Sequence, residues 1–333
     1  MVTIIKCIMS PFLDMILLIY HYPLPLFIVT IVLIIICLVV FMCLKGLINS
    51  MSKTAFKIIF GIIFIPTACL SLIYSLYFYS YCIEPNWIRI DRATIKNSKL
   101  SNSLKGITAV QISDLHISSF GFREKRLLSI LNKINPDIIF ITGDFITIKE
   151  DILYCIDVIR HIKARYGVWG VLGDGDECFG KINDVKEIMK KNGINILINE
   201  SKRFCLNGNM PFYLMGINGG DIQKEIAMLA PKCHDAPILL LCHYPQAFPF
   251  ASQSGIALVL AGDTHGGQIG PLALRRLDRK MRGVKSDELV AGSYQMGNTQ
   301  LYVNRGIGVH SMNIRFFCRP EITVFQIGDF KQE

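Results

Sequence analysis

The stretch ISDLHI at residues 112–117 is the most informative feature of this chain. It places Asp114 and His116 two residues apart, directly after an apolar run at residues 107–112. Such a run predicts a buried strand, because buried strands are nearly continuous in Val, Ile and Leu. A loop that turns back after the strand brings both side chains to one point, as a metal site requires.

Four more apolar runs end in polar groups of the same kind. The runs lie at residues 137–142, 167–172, 237–242 and 256–261, and the groups that follow them are Asp144, Asp174 with Asp176, His243, and Asp263 with His265. A single Asp after a strand is more often only a turn or a helix cap. Ligands of open α/β sheets, however, bind at the carboxyl ends of strands. Five such ends predict one cluster of carboxylates and imidazoles.

In this order the motifs resemble those of the calcineurin-like metallophosphoesterase superfamily, which run D-x-H, G-D, G-N-H-[DE], H and G-H-x-H. The resemblance covers about residues 105–326 and includes GDTHGGQIGP at residues 262–271. It implies an α/β fold, an α-β-β-α sandwich of two mixed sheets, with a catalytic domain over residues 106–333. Helices are expected at residues 122–135, 150–165 and 181–192, and the later strands are expected to form the more antiparallel sheet.

The resemblance also implies two divalent metal ions. The implied ligands are, for the first ion, Asp114, His116, Asp144 and His265, and, for the second, Asp144, Asp174, His243 and Asp263. Asp174 and Asp263 depart from the family pattern, which usually has Asn and His there. Manganese is expected to support activity best, because carboxylate-rich sites suit manganese or magnesium better than zinc. Magnesium, zinc and iron are the alternatives.

A third departure is Gly175, which stands where the family has a histidine thought to protonate the leaving oxygen. General acid catalysis contributes about 10²–10⁴-fold in rate. Without it, the cleavage of bonds with poor leaving groups should be slowed most. A phosphoanhydride, whose leaving group is a stable phosphate, is therefore favoured. Asp176 and His310 are candidate replacements and join Asp144 and Asp174 as catalytic candidates. A structural role for His310 on a surface loop is the alternative.

These features predict two-metal hydrolysis of a phosphoester or phosphoanhydride bond, in which a hydroxide between the ions attacks phosphorus. Within the resembling branch, some membrane-anchored members are UDP-2,3-diacylglucosamine pyrophosphohydrolases of lipid A synthesis, so a phosphorylated, lipid-linked substrate is expected. A general phosphodiesterase or phosphatase acting on phospholipid or nucleotide esters is the alternative enzyme. A degenerate, non-catalytic membrane-bound scaffold with an altered metal site is the alternative from another class.

Two apolar runs near the amino terminus predict a membrane anchor over residues 1–84. They lie at about residues 26–44 and 58–83, and about 20 apolar residues suffice to span a bilayer. A transmembrane helical hairpin followed by a juxtamembrane linker at residues 85–105, with one strand at residues 87–90, is expected, and the lipid bilayer is an expected partner. Flanking basic residues and cysteines without framework spacing favour a multi-pass protein of a bacterial-type inner (cytoplasmic) membrane, with its catalytic domain facing the cytoplasm.

Basic residues exceed acidic ones, 35 to 26, which gives a formal net charge of +9. The densest basic cluster is Arg275, Arg276, Arg279, Lys280 and Arg282. Such a cluster can bind anionic lipid headgroups, at about 1 kcal/mol for each basic residue near the surface, hold substrate phosphates, or be simply solvated. Nucleic acid is not expected as a partner, because no aromatic residues interleave with the basic ones. The sequence leaves the oligomeric state open.

Overall fold

The structure is a computed structural model that describes Ile62 and residues 65–270, 289–310 and 313–326. The chain divides into two compact units, Met1–Ile83 and Glu84–Glu333.

The described part of the first unit is an apolar helix. It is α1, Ile65–Phe78, none of whose residues is buried, and a π-helical turn follows it at Tyr79–Ile83.

The expected multi-pass location in an inner membrane is contradicted within the described residues. None of their helices combines the length and the hydropathy that crossing a membrane requires. The first expected span, residues 26–44, lies outside the described residues. Of the second, residues 58–83, the described part forms α1 and the π-helical turn.

The described strands of the second unit form two six-stranded sheets. In chain order the strands are β1 Arg89–Thr94, β2 Ala109–Ile112, β3 Ile138–Thr142, β4 Val168–Val171, β5 Ile194–Ile196, β6 Glu200–Phe204, β7 Phe212–Gly216, β8 Ile238–Leu241, β9 Leu258–Ala261, β10 Gly292–Met296, β11 Thr299–Val303 and β12 Glu321–Gln326. The first sheet has the order β1-β12-β2-β3-β4-β5 and the second β10-β11-β9-β8-β7-β6. The pair β12–β2 is antiparallel in the first sheet, and β10–β11 and β6–β7 are antiparallel in the second. The prediction of two mixed sheets is confirmed.

The described α-helices of this unit connect the strands. They are α2 Ser98–Ser103, α3 Phe122–Ile134, α4 Ile152–Ile159, α5 Ile182–Lys191, α6 Ile222–Leu229 and α7 Phe248–Gln253. The bounds of α3 and α5 agree with the predicted ones to within one residue. Helix α4 is shorter than predicted, because the N–H groups of His161 and Ile162 donate to carbonyls three residues earlier and tighten the chain into a turn.

Three clusters of buried apolar side chains separate four layers. Helices α3, α4 and α5 pack on the outer face of the first sheet, and the two sheets pack on each other through residues such as Phe140 and Leu241. Helices α6 and α7 pack on the outer face of the second sheet. The order of layers is therefore helix, sheet, sheet, helix, and the carboxyl ends of the central parallel strands lie at one edge.

Residues 85–105, expected to be a linker, contain regular structure. Strand β1 pairs in parallel with β12, and α2 begins at the Asn97 side chain, which accepts a hydrogen bond from the N–H of Leu100. Leu100 and Leu104 are fully buried. The strand expected at residues 87–90 is found as β1, which begins two residues later. Its sequence, RIDRAT, is polar because the strand lies at an edge and buries only Ala93.

We predict that Phe140→Ala lowers the free energy of unfolding by about 3–5 kcal/mol, the usual cost of truncating a buried Phe. Phe140 is fully buried between the sheets. Urea unfolding followed by tryptophan fluorescence measures the change. Phe122→Ala is the control, because Phe122 is 70% exposed and its loss should cost less than about 0.5 kcal/mol. Equal losses in the two variants would contradict the layer assignment.

Candidate metal centre

The loops after β2 and β3 hold their polar side chains in strained backbone conformations. Asp114, His116 and Asp144 have φ of 46°, 40° and 54°, in the left-handed region that residues other than glycine rarely adopt. The loops are joined by hydrogen bonds from the Asp114 N–H to the Gly143 carbonyl and from the His116 N–H to the Asp144 carbonyl. Such strain persists where the surroundings determine the conformation, and it concentrates at functional sites.

Four buried side chains from three loops form the first group. Their ligand-type atoms lie within 4.8 Å of one another, and the residues are Asp114, His116, Asp144 and His265. His116 Nε2 is 3.1 Å from His265 Nε2 and 3.2 Å from Asp144 Oδ2. Asp114 Oδ1 is 3.5 Å from His265 Nε2.

The second group shares Asp144 with the first and adds Asp174 and His243. His243 Nε2 lies 3.6 Å from Asp144 Oδ1 and 3.4 Å from Asp174 Oδ1. Asp144 and His243 are buried, whereas the Asp174 side chain is 64% exposed. The second group therefore opens to solvent through Asp174.

A hydrogen bond orients the His243 imidazole toward the second group. His243 Nδ1 lies 2.7 Å from the Thr142 carbonyl, which can only accept, so Nδ1 carries a proton and Nε2 is the nitrogen that faces the second group. Within the described part of the chain, the buried His243 Nε2 and Asp114 Oδ2 have no hydrogen-bond partner. Buried polar atoms of this kind normally have partners. The donor set therefore fits divalent metal ions.

The local electrostatics of the first group also suit a cation. Burial raises the pKa of Asp114 and lowers that of His265 well below its ordinary value, so the His265 imidazole is neutral, as a ligand must be. Burial would also raise the pKa of Asp144, but the hydrogen bond from His116 and the nearby imidazoles of His243 and His116 together outweigh it, and the pKa falls. Asp144 is thus an ionised carboxylate between the two groups.

Asp263, expected as a ligand of the second ion, lies beside both groups. Its Oδ1 is 4.0 Å from His243 Nε2, and its N–H donates to Asp114 Oδ1 at 3.0 Å. Burial raises the pKa of its carboxyl to about 6. Its backbone therefore positions a member of the first group, while its carboxylate stands just outside the second.

Asp176, a catalytic candidate, lies beneath the loops. Its fully buried carboxylate accepts hydrogen bonds from the N–H groups of Gly173, Phe145 and Ile146 at 3.0, 2.7 and 3.3 Å. Burial and the nearby charge of Asp144 raise its pKa to about 7. These bonds tie the loop after β3 to the loop after β4, so its contacts position the loop that carries Asp174.

His310, the other candidate for the missing acid, lies beside the first group. Its ring centroid is 5.3 Å from that of His116 and 6.0 Å from that of His265. Its N–H donates to Gln268 Oε1 at 2.6 Å, which fixes the backbone there. The basic cluster at residues 275–282, expected to bind substrate or membrane, lies outside the described residues.

Sequence reasoning missed a loop and an arginine that support the first group. The loop is RGIG at residues 305–308, and the N–H groups of Ile307 and Gly308 donate to the carbonyls of Ser113 and Asp114. The arginine is the fully buried Arg315. Two closely spaced glycines were the signal that could have found the loop.

Residues 107–267 match the family model described as calcineurin-like phosphoesterase. The chain contains a calcineurin-like metallophosphoesterase domain. It is 28% identical over 266 residues to the uncharacterized metallophosphoesterase YkuE of Bacillus subtilis, covering 75% of this chain and 89% of the relative. It is 27% identical over 256 residues to phosphodiesterase YaeI of Escherichia coli, covering 74% and 90%.

A further relative is the UDP-2,3-diacylglucosamine pyrophosphatase LpxG of Chlamydia muridarum, 25% identical over 298 residues, with 73% of this chain and 90% of the relative covered. The family and the names of these relatives support a metal-dependent hydrolase. The metallophosphoesterase domain holds a buried cluster of Asp and His residues able to bind metal ions.

We predict that Gly175→Ala weakens manganese binding by about 10–100-fold, the usual cost of disturbing the groups that orient ligands. A Cβ at Gly175 would lie 2.6 Å from the Ile146 carbonyl oxygen and 3.1 Å from Asp144 Oδ1. The Gly175 N–H, which donates to Asp144 Oδ1 at 2.9 Å, must then move. Isothermal titration measures the affinity. Gly220→Ala is the control, because its Cβ meets only Glu225 Oε1 at 3.5 Å, and equal affinity in both variants would refute the prediction.

Proposed function

We propose that this domain holds two divalent ions, one in each group, and hydrolyses a phosphoester or phosphoanhydride bond. The observation that carries the proposal is that two adjoining groups of ligand-type atoms share Asp144. Ions bound there supply the Lewis acidity that activates water and stabilises charge on a phosphoryl group. The ligands proposed are Asp114, His116, Asp144 and His265 for the first ion and Asp144, Asp174 and His243 for the second, with Asp263 beside it.

The chain's own residues fix the ligands before substrate arrives. The Gly175 N–H orients Asp144, the Thr142 carbonyl orients His243, and Thr147 Oγ1 lies 2.7 Å from His116 Nδ1. Such supporting hydrogen bonds set the orientation and basicity of ligands. Because Asp174 is exposed, a phosphate can approach the second group from solvent.

We infer that manganese is the ion that supports activity best. Four carboxylates, those of Asp114, Asp144, Asp174 and Asp263, lie in or beside the two groups. Oxygen-rich sites favour manganese or magnesium, whereas zinc prefers nitrogen and sulfur ligands.

The proposed substrate is a phosphoanhydride in a lipid-linked nucleotide such as UDP-2,3-diacylglucosamine. Gly175 has no side chain to protonate a leaving oxygen, and the leaving phosphate of an anhydride needs little protonation. The Asp176 carboxylate accepts three backbone hydrogen bonds, which disfavours it as the acid. The LpxG relative is named for this substrate, which also supports the proposal.

A phosphodiesterase acting on phospholipid or nucleotide esters is the second candidate. It is favoured by His310, whose ring lies near His116 and His265 and could donate a proton to an alkoxide. The name of the YaeI relative, a phosphodiesterase, points the same way.

We predict that the purified chain with manganese releases UMP from UDP-2,3-diacylglucosamine faster than it cleaves an aryl phosphodiester. Asp144→Ala should lower UMP release by more than about 100-fold, because even residues that only orient ligands contribute 10–100-fold. Asp235→Ala is the matched control, since this exposed Asp precedes β8, at the opposite end of that strand from His243. Ion content is measured on the same samples.

The outcomes separate the candidate functions. Faster cleavage of the diester, abolished by Asp144→Ala, would favour the phosphodiesterase. One bound ion or none, with turnover of neither compound, would refute hydrolysis and leave a non-catalytic binding protein.

We also predict that chelation abolishes activity and that manganese restores it more fully than zinc, because both groups are rich in carboxylates. The measurement is the initial rate after dialysis against EDTA and addition of each metal at equal free concentration. Better restoration by zinc would contradict the proposed metal, and full activity without metal would contradict the proposed function.

A further inference from the structure

Arg315 is a fully buried cation whose described hydrogen bonds all go to main-chain carbonyls. Its Nε and Nη2 donate to Gly308 at 3.1 and 2.6 Å, Nη2 also to Arg305 and Gly306 at 2.9 and 3.2 Å, and Nη1 to Cys318 at 3.1 Å. Burying a charge is costly unless it is well satisfied. Here the planar guanidinium reaches two segments at once, residues 305–308 and Cys318.

The first of these segments, residues 305–308, lies directly on the loop that carries Asp114 and His116. A Cβ at Gly306 would lie 2.7 Å from the Asp114 Cβ, and one at Gly308 would lie 2.7 Å from the His116 Cβ. The N–H groups of Ile307 and Gly308 donate to the carbonyls of Ser113 and Asp114 at 2.9 and 2.7 Å. Residues 305–308 therefore press on the two ligand candidates that follow β2.

The second segment, at Cys318, reaches His265. The Cys318 Sγ lies 3.4 and 3.5 Å from the carbonyl oxygens of His265 and Gly266. The N–H groups of Phe317 and Cys318 donate to the buried carboxylate of Glu84, which holds the segment from its other side. Arg315 thus joins the backbone supports of Asp114, His116 and His265.

The second group has different supports. His243 is oriented by the Thr142 carbonyl, and the loop carrying Asp174 is held by Asp176. None of the described hydrogen bonds of Arg315 reaches either loop. A disturbance at Arg315 should therefore act on one group and not on both.

We propose that Arg315 is a positioning residue for the first group and that it sets the affinity of that group for its ion independently of the second. This inference rests on the proposed function, since it needs two bound ions. The role depends on the forked geometry of the guanidinium and not on charge alone, because an ammonium cannot serve several fixed carbonyls in one plane.

The test is manganese binding to the purified full chain by isothermal titration and electron paramagnetic resonance. Arg315→Lys keeps the charge and removes the fork. We expect the affinity for one of two ions to fall about 10–100-fold, the range for residues that orient ligands, while the affinity for the other is unchanged. The signal of a spin-coupled manganese pair should give way to that of a single ion.

Two further variants keep the test decisive. Gly308→Ala pushes the supporting segment away from His116 while the Arg315 side chain itself is kept, and it should cause the same selective loss even if Arg315→Lys fails to fold. Phe212→Leu, at the fully buried amino end of β7, controls for general destabilisation and should leave both affinities unchanged.

Equal loss at both sites, or no loss at either in a folded variant, would overturn the role of Arg315. Binding of no ion by the unaltered chain would instead overturn the proposed function, and this inference with it. The two failures are therefore distinguishable.

Discussion

The interaction on which the rest of the domain depends is the crowding of like charges around Asp144. This carboxylate belongs to both groups of ligand-type atoms, with the carboxylates of Asp114 and Asp174 in the same two groups. Like charges at such distances in a buried site repel strongly. The chain offsets part of this repulsion with His243, whose pKa the surrounding carboxylates raise well above its ordinary value despite burial, and a pair of divalent ions would offset it far more completely. The loops around the two groups hold these side chains in place.

The backbone shows the cost of that arrangement. Five residues in or beside the two groups have positive φ: Asp114, His116, Asp144, Asp263 and His265. For residues other than glycine such conformations cost about 1–3 kcal/mol each. Two buried charged side chains hold the loops that carry these residues. The Asp176 carboxylate lies beneath the loops after β3 and β4, and the Arg315 guanidinium lies behind the first group. One support uses an anion to collect N–H groups and the other a cation to collect carbonyls. In both supports a buried charged side chain fixes the backbone that carries the ligands. A site that binds ions in fixed positions requires such support.

The ligand-type residues were easier to predict from the sequence than the residues that support them. The reason is the distance along the chain between the residues that form each sequence signal. Asp114 and His243 each follow an apolar run directly, so strand and side chain are read from neighbouring residues. Gly306 meets Asp114 from almost two hundred residues away, and no local pattern reports that contact. Strand β1 was predicted only in part, at residues 87–90, because it lies at an edge and is polar. The predicted multi-pass location was wrong for a different reason: an apolar run alone does not give the length of a helix, and none of the described helices has both the length and the hydropathy that crossing a membrane requires.

Gly175 shows how backbone and side-chain chemistry compete at one position. Its N–H donates to Asp144 Oδ1, and the space a side chain would enter is taken by the Ile146 carbonyl and by Asp144 itself. A histidine there would therefore require the loop after β4 to move away from the shared carboxylate. In this chain the loop instead lies close and contributes a main-chain donor that steadies Asp144. Because this loop lies close to Asp144, the carboxylate is held more firmly, but no side chain at position 175 can donate a proton. This arrangement suits a substrate whose leaving group is already a stable anion.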